Sequence, residues 1–417
     1  MAEVINTNDQ DKPRKKRKFV GKRKIKTVNK TEKSVVTRDG NQTKVFRGRV
    51  SHTIPDEILN NAKLNETIEQ LLPTNYNFEI HKTIHRLLQN ECKLVALQFP
   101  EGLLMYGGRI ADILREFANV DVIMLGDVTY GACCVDDFTA RALGADFLVH
   151  YGHSCLVPID VTQGIKCLYV FVDIKIDIRH FIETVKYNFD SSQRLALIGT
   201  IQFASSLQAA AAELKEKFQV SVPQSKPLSR GEVLGCTSPH FTDVDAIVYL
   251  ADGRFHLESV MIHNPTIPAF KYDPYSKKFT KEEYLVEEMF TLRKQAIKEA
   301  SEAKKVGVIL GTLGRQGSPR VLKHIEELLS AQNVNYSVVL LSEVFPSKLD
   351  LFSDVDAWIQ IACPRLSIDW GYAFTKPLLN PYEAEVAWQG TEWKEIYPMD
   401  FYAKDGGAWS VYHQRNK

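Results

Sequence analysis

Cysteine is scarce in this chain, seven in 417 residues, and the number is odd. That excludes a secreted framework of paired disulfides. It leaves isolated thiols in a reducing compartment, where they serve metals or catalysis. No CxxC pair occurs, so the thiols are unlike those of a zinc ribbon. The CxxxCxxC run of the usual radical-initiating enzymes is also missing. No apolar run approaches the length of a membrane span. The start, MAEVINTNDQDKPRKKRK, lacks the apolar core of a secretory signal. A cytoplasmic protein is the expectation.

What is present is ordinary for a soluble protein: 44% hydrophobic and 25% charged residues. The length predicts about two to four domains. The formal net charge of +1 hides an asymmetry, because residues 1–50 hold 16 Lys or Arg against 5 Asp or Glu. This stretch includes Pro13-Arg14-Lys15-Lys16-Arg17-Lys18 and is expected to be a disordered basic tail. Nuclear targeting, contact with RNA and a plain solvated tail all remain open for it.

An internal repeat organises the rest. Strand-like runs begin at Lys93, Arg194 and Lys305, separated by 101 and 111 residues. A second set of runs opens at Asp146, Asp245 and Asp356, separated by 99 and 111. Two independent markers keep nearly one period. A period of about a hundred residues is too long for a solenoid and suits a small α/β domain present three times. Alternating β-runs and amphipathic helices predict parallel sheets with right-handed crossovers. The expected division is 1–50 basic tail, 51–190 N-terminal helices and first repeat, 191–300 second repeat, 301–417 third repeat and C-terminal extension. In the second repeat Pro268–Tyr272 is read as the last strand, and a helical segment from Lys281 to about Lys304 as the link to the third.

Cys133, Cys236 and Cys363 lie in loops beyond the carboxyl ends of strands in three different copies, where ligands gather in such sheets. Taken singly, each thiol reads as a small buried hydrophobe. Taken together, three similar domains around a common axis bring them to one point. Cys134 is adjacent to Cys133, and neighbours diverge on any helix or strand, so only one of the two can ligate. Cys92 and Cys167 lie at or inside strands and read as structural; Cys155 is ambiguous. The seventh residue after each Asp marker is His153, Asp252 and Cys363, so the threefold set is only approximate. His153 is open to two readings, a cavity residue or a hydrogen-bonded loop histidine. Scattered thiolates suit an iron–sulfur cluster, and a cubane held by three leaves one iron open. The loop Gly311–Gly317 precedes a helix; it is either an anion-binding turn or a plain strand-to-helix turn.

Five segments carry a resemblance. They are Leu97-Gln98-Phe99-Pro100-Glu101-Gly102-Leu103, Gly126 to Asp137 (GDVTYGACCVDD), Tyr151-Gly152-His153-Ser154-Cys155, Cys363 to Trp370 (CPRLSIDW) and Leu378-Leu379-Asn380-Pro381-Tyr382-Glu383. Over about residues 60–390 the chain resembles the diphthamide-synthesis enzyme family, and within it the eukaryotic first-subunit branch. The resemblance implies three small α/β domains around a central [4Fe–4S] cluster, with Cys133, Cys236 and Cys363 as its ligands. It implies S-adenosylmethionine at the open iron and transfer of its 3-amino-3-carboxypropyl group to C2 of a histidine in translation elongation factor 2. It further implies a heterodimer with a related second subunit and a small iron protein as electron donor. Asp252, Arg365 and Asp369 are candidate polar contacts to the co-substrate, with structural ion pairs as the alternative for each. Two other readings stand beside this one: a quinolinate-synthase-like dehydratase, and a partner subunit without a working cluster.

Overall fold

A computed structural model of the chain describes residues 54–127, 129–162 and 164–413. The expectation of a disordered tail over 1–50 lies outside the described residues. The first described elements are helices Asp56–Leu59, Ala62–Leu71 and Ile80–Gln89. The last of these buries Ile80, Ile84 and Leu87 on one face, at helical spacing. Between them runs β1 (Tyr76–Asn77).

Three sheets follow. The first contains β2 (Leu94–Gln98), β3 (Asp121–Met124), β4 (Phe147–Tyr151) and β5 (Lys166–Val170), all parallel, in the order β3-β2-β4-β5. A short β6 (Asp173–Ile174) leaves this sheet and pairs antiparallel with β1. The second contains β7 (Arg194–Gly199), β8 (Gln219–Ser221), β9 (Ala246–Leu250), β10 (Ala269–Asp273) and β11 (Lys278–Glu282). The third contains β12 (Lys305–Gly311), β13 (Asn335–Leu341), β14 (Ala357–Ile361) and β15 (Leu378–Leu379). Each sheet places its second strand first, then the first, third and fourth. The third strands, β4, β9 and β14, are buried along their whole length. Continuous burial is what parallel strands covered on both faces require.

The two sets of repeat markers touch. The Asp146 carboxylate accepts from the Lys93 amide at 2.8 Å, Asp245 from the Arg194 amide at 2.7 Å, and Asp356 from the Lys305 amide at 2.9 Å. Each carboxylate satisfies an amide where the first strand begins, and so pins the register of first against third strand.

One expectation needs correcting. β10 is not the last strand of its sheet: β11 adds an antiparallel partner, and the helix that follows is Val286–Ser301. The hairpin turn is built by Asp273, whose Oδ1 accepts from the amides of Tyr275 and Ser276 at 2.9 and 3.2 Å. Lys277 completes it at a φ of 54°. β11 reads as charged and half-exposed, so its sequence carries no strand alternation.

Inside the third sheet's helical cover, Arg293 meets Glu383 at 2.6 Å, both buried. Arg293 Nη2 also donates to the Leu378 carbonyl at 2.7 Å, and Tyr397 donates its hydroxyl to Glu383 at 2.8 Å. Asn380 and Glu383 form a capping box for helix Pro381–Ala387. The Leu378–Glu383 segment is thus a buried structural brace. Among the described residues, no helix is long and apolar enough to cross a membrane.

Candidate metal centre

The Cys133 loop leaves β3 and ends in a tight turn, with the Cys134 amide donating to the Gly131 carbonyl at 2.9 Å. Cys133 keeps part of its surface exposed, whereas Cys134 is buried. The turn is held from beneath by Gln98 at the end of β2. Its Nε2 donates to the Cys134 carbonyl at 2.7 Å, while its Oε1 accepts from the Asp136 amide at 3.3 Å and pairs with His150 Nδ1 at 2.8 Å. From the third sheet, the Arg315 amide donates to the Cys133 carbonyl at 2.8 Å, and the Arg315 guanidinium pairs with buried Asp137 at 2.6 Å. Gly314, at a φ of 53°, lies so close that a Cβ would meet the Cys134 backbone at 2.5 Å. The Gly311–Gly317 loop is therefore the brace of the Cys133 turn. A side chain at 314 would push that turn away.

Cys236 lies in a tight hairpin, Leu234 and Thr237 exchanging backbone bonds at 2.9 and 3.3 Å. Arg365 Nη1 donates to the Gly235 carbonyl at 3.3 Å and to the Phe255 carbonyl at 2.8 Å. Cys363 follows β14 and sits before helix Pro364–Trp370. Its carbonyl accepts from Gln360 Nε2 at 2.9 Å, and Gln360 Oε1 accepts from the Ala362 amide at 3.0 Å. All three loops are therefore gripped at a backbone carbonyl by a buried side-chain donor, Gln98, Arg365 or Gln360.

The thiols act on one another. Burial pushes the Cys236 thiol up to about 12, and the charge of Cys363 adds to the effect. Burial likewise raises Cys363. The hydrogen bond that Cys133 shares with Cys134 raises Cys133 and lowers Cys134; burial and the charges of Cys236 and Cys363 push Cys133 further up. Three thiolates cannot coexist here without a cation among them. A metal group supplies that charge and deprotonates coordinating thiols outright. Among the described residues, no three His, Cys, Asp or Glu side chains are gathered closely enough to hold a single ion. A multi-iron cluster binds its thiolates at separate corners and accepts ligands from loops distant in sequence.

Beside Cys363 opens a cavity of about 920 Å³, lined among others by Tyr130, Phe255, Gln316, Arg365, Asp369 and Trp370. Arg365 is almost wholly buried and closes an ion-pair set, with Glu258 at 2.5 Å and Asp369 at 2.9 Å. Asp252 is exposed beyond the end of β9, and its charge acts on Tyr249 and His256. His153 and His256 are both held below the usual histidine range, to about 4, by burial first. The Nε2 of His150 and the Nδ1 of His153 are buried without a hydrogen-bond partner.

Comparison with known proteins decides the family. The model describing the diphthamide synthesis protein family matches residues 99–398. The chain belongs to the diphthamide-synthesis family. It is 59% identical over 393 residues to the 2-(3-amino-3-carboxypropyl)histidine synthase subunit 1 of Dictyostelium discoideum, covering 91% of this chain and 83% of that one. The subunit 1 of Homo sapiens is 59% identical, with coverages of 89% and 85%, and that of Schizosaccharomyces pombe 54%, with 96% and 95%. Among solved structures, Dph2 from Pyrococcus horikoshii with a 4Fe-4S cluster matches with a TM-score of 0.65 and 27% identity, over 78% of this chain and 93% of that one.

Within this family member, sequence reasoning had singled out the cysteines but not Gln98, Gln360 or Tyr402. A signal existed for Gln360. The fourth residue after each Asp marker is His150, Tyr249 or Gln360, a polar side chain inside a fully buried strand. A polar group at such a position must have a built-in partner. In the first and third sheets that partner chain leads to a cysteine loop.

Proposed function

We propose that this chain is the catalytic subunit that transfers the 3-amino-3-carboxypropyl group of S-adenosylmethionine to C2 of a histidine in translation elongation factor 2, the first step of diphthamide formation. In this reading the three sheets are the frames of three repeated units, roughly 51–190, 191–300 and 301–417, around one centre. The observation that carries it is that three loops, one from each sheet, meet: Cys133 and Cys236 pack against one apolar cluster, and Arg365, two residues after Cys363, donates to the Gly235 carbonyl beside Cys236, in a family whose solved member Dph2 is described with a 4Fe-4S cluster.

Cys133, Cys236 and Cys363 would hold the cluster. When bound and reduced, it would supply the electron that breaks one carbon–sulfur bond of the sulfonium homolytically and frees the aminocarboxypropyl group as a carbon radical. The chain's own residues do the positioning. Gln98, Arg365 and Gln360 fix the three loops. Arg365 and Asp369 line the cavity beside Cys363; the Arg365 N–H groups are already bonded to Asp369, Glu258 and the Gly235 and Phe255 carbonyls, so an aminocarboxylate would meet this pair as a charged wall or displace one of its carboxylates. Asp252 is the more distant polar candidate. Orientation relative to the centre selects which of three bonds breaks. Tyr130, Phe255 and Trp370 leave large apolar area exposed at the cavity rim, which suits docking of a macromolecule that carries the imidazole. A related second subunit would complete that surface, and a small iron protein would deliver electrons, both in the cytoplasm.

The test is anaerobic reconstitution with iron and sulfide counting. Incubation with the second subunit, dithionite and carboxyl-labelled S-adenosylmethionine should then label the elongation factor and release methylthioadenosine. Release of 5′-deoxyadenosine, or no label on the factor with a full iron complement, sinks the reading.

A further inference from the structure

Residues 399–413 lie beyond the stretch that the family model matches. They form no helix or strand of their own. Yet here the chain returns to the cysteine centre. The Ser238 amide donates to the Met399 carbonyl at 2.8 Å, the Phe401 amide to the Cys236 carbonyl at 3.2 Å, and the Tyr402 amide to Thr237 Oγ1 at 2.9 Å. Three consecutive residues of the Cys236 loop are thereby tied to this segment.

The segment is locked in turn. The Val411 amide donates to the Phe401 carbonyl at 2.7 Å, Ser410 Oγ to the Ala403 carbonyl at 2.7 Å, and Trp409 Nε1 to Asp400 Oδ1 at 2.6 Å. Arg320, from helix Pro319–Ala331, donates to the Val411 and Ser410 carbonyls. The Tyr412 hydroxyl donates to the Leu156 carbonyl at 2.7 Å. Met399, Phe401, Tyr402 and Trp409 are buried in one apolar cluster, and Cys133 and Cys236 pack against it. Tyr402 is close enough to feel the charge of all three thiols.

We propose that residues 399–412 are a strap forming one wall of the cysteine centre, with Tyr402 as its positioning residue, holding the Cys236 loop through Thr237 and closing water off from the thiols on that side. What the centre holds rests on the reading above; the wall itself does not. The argument is physical. Arg365 holds the Cys236 hairpin at the Gly235 carbonyl on one side, and the strap holds it at Cys236, Thr237 and Ser238 on the other. The Cys236 loop takes one orientation because the strap occupies its backbone groups. Loss of the strap's anchoring ring would let that loop open locally while the three sheets stay folded.

The experiment uses the full-length apo-protein under anaerobic conditions, with iodoacetamide and mass spectrometry reading the alkylation rate of each cysteine. Tyr402→Ala should raise the rate at Cys236 about tenfold or more, while Cys92 and the exposed Cys155 keep their wild-type rates. Tyr402→Phe should stay near wild type, because the ring and the amide remain. Thr237→Val removes the acceptor for the Tyr402 amide and also the hydroxyl that donates to Cys236 Sγ at 4.0 Å, a bond that favours the thiolate; opening of the loop should outweigh that loss and raise the Cys236 rate by a smaller factor. A wild-type rate at Cys236 in both Tyr402→Ala and Thr237→Val overturns the proposal. So does a rise shared equally by Cys92 and Cys155, since that reports a loosened fold rather than a lost wall. Iron counting on separate, unalkylated and anaerobically reconstituted aliquots of the same proteins separates the two readings: strap-dependent protection with no iron uptake keeps the strap and removes the cluster.

Discussion

The two ends of the three sheets behave differently. At the amino ends the same thing happens three times: Asp146, Asp245 and Asp356 each take the amide of the first strand's opening residue. At the carboxyl ends nothing is quite repeated. Cys133 and Cys236 leave the loop after the second strand, Cys363 follows the third, and the position after the third strand is His153, Asp252 or Cys363. Register is a demand every sheet makes alike, so the amino ends kept one solution. Chemistry needs different groups around one centre, so the carboxyl ends diverged. A repeat detected at one end therefore says where to look at the other, and little about what will be there.

The comparison predicts its largest effect at the carboxyl ends. Replacing Cys133, Cys236 or Cys363 by Ala should each reduce bound iron and transfer activity to background, although the three sit in unrelated loops. Cys92→Ala and Cys167→Ala, at the other end or inside a strand, should retain full iron. Cys134→Ala should bind iron with a modest loss, since Cys134 is turned inward. Iron content, measured on anaerobically reconstituted protein, checks all of these. Equal loss for Cys134→Ala and Cys133→Ala would move the ligand assignment.

Next comes the brace that serves neither end. Arg293→Met leaves the Glu383 carboxylate buried and unpaired, which costs about 3–5 kcal/mol. Adding Glu383→Leu should recover part of that cost, because a buried ion pair is worth little against apolar packing. Urea unfolding of the two proteins decides it. A double variant less stable than the single would show that Tyr397 and Asn380, both bonded around Glu383, dominate the brace.

Gln360→Leu tests the grip on a cysteine loop. It strips the Cys363 carbonyl and the Ala362 amide of their partner in a buried place, at about 1–3 kcal/mol per unsatisfied group. Gln360→Glu keeps the acceptor for Ala362 and loses the donor to Cys363. It also buries a carboxylate against the Cys363 carbonyl, so it should fold no better than the Leu variant and bind iron less well than wild type. Unchanged iron binding in both variants would reduce Gln360 to packing.

Much of this was legible in the sequence. The Asp markers, the apolar third strands and the cysteines in Gly- and Pro-flanked loops gave the α/β architecture and the candidate ligands. Three things were not legible, each for a physical reason. β11 depends on an Asp273 turn and on its partner strand rather than on its own pattern. Gln98 and Gln360 are single polar residues inside apolar runs, and only their partners, distant or in another loop, explain them. The segment 399–413 has no periodicity, because its order comes from side-chain bonds to loops distant in sequence. For Arg365 and Asp369 the sequence left co-substrate contact and structural ion pair open; they line the cavity, and their mutual ion pair and the bond to Gly235 appear only in three dimensions.

At the amino ends the effects should be small and additive. Asp146→Ala removes one amide bond, Asp356→Ala the Lys304 and Lys305 amide bonds, and Asp245→Ala the Arg194 amide bond with its ion pair, each in a different sheet. Each should lower the urea midpoint slightly, and the triple variant by roughly the sum, as independent sites do. A cooperative collapse in the triple variant would mean that the amino ends act together.

The smallest effect is a dependence on acid, and it is sharpest in the second sheet; in the third, the Lys305 and Lys304 amides also hold the Asp356 carboxyl below its usual range. The Arg194 guanidinium and amide hold the Asp245 carboxyl at about 2, below its usual 3.8. A depressed pKa means that the ionised form is favoured by folding. The contribution is therefore complete above the usual carboxylate range and is lost as pH falls through about 2. Asp245 is solvent-facing, so screening keeps the amplitude small. Asp245→Asn removes the titration while keeping the shape and an acceptor oxygen. The difference in urea midpoint between wild type and this variant should be constant above about pH 5 and shrink below it. Raising the salt concentration should shrink it further. A carboxyl titration of Asp245 centred at the unperturbed value would break the argument, because the Arg194 pair would then contribute geometry without charge.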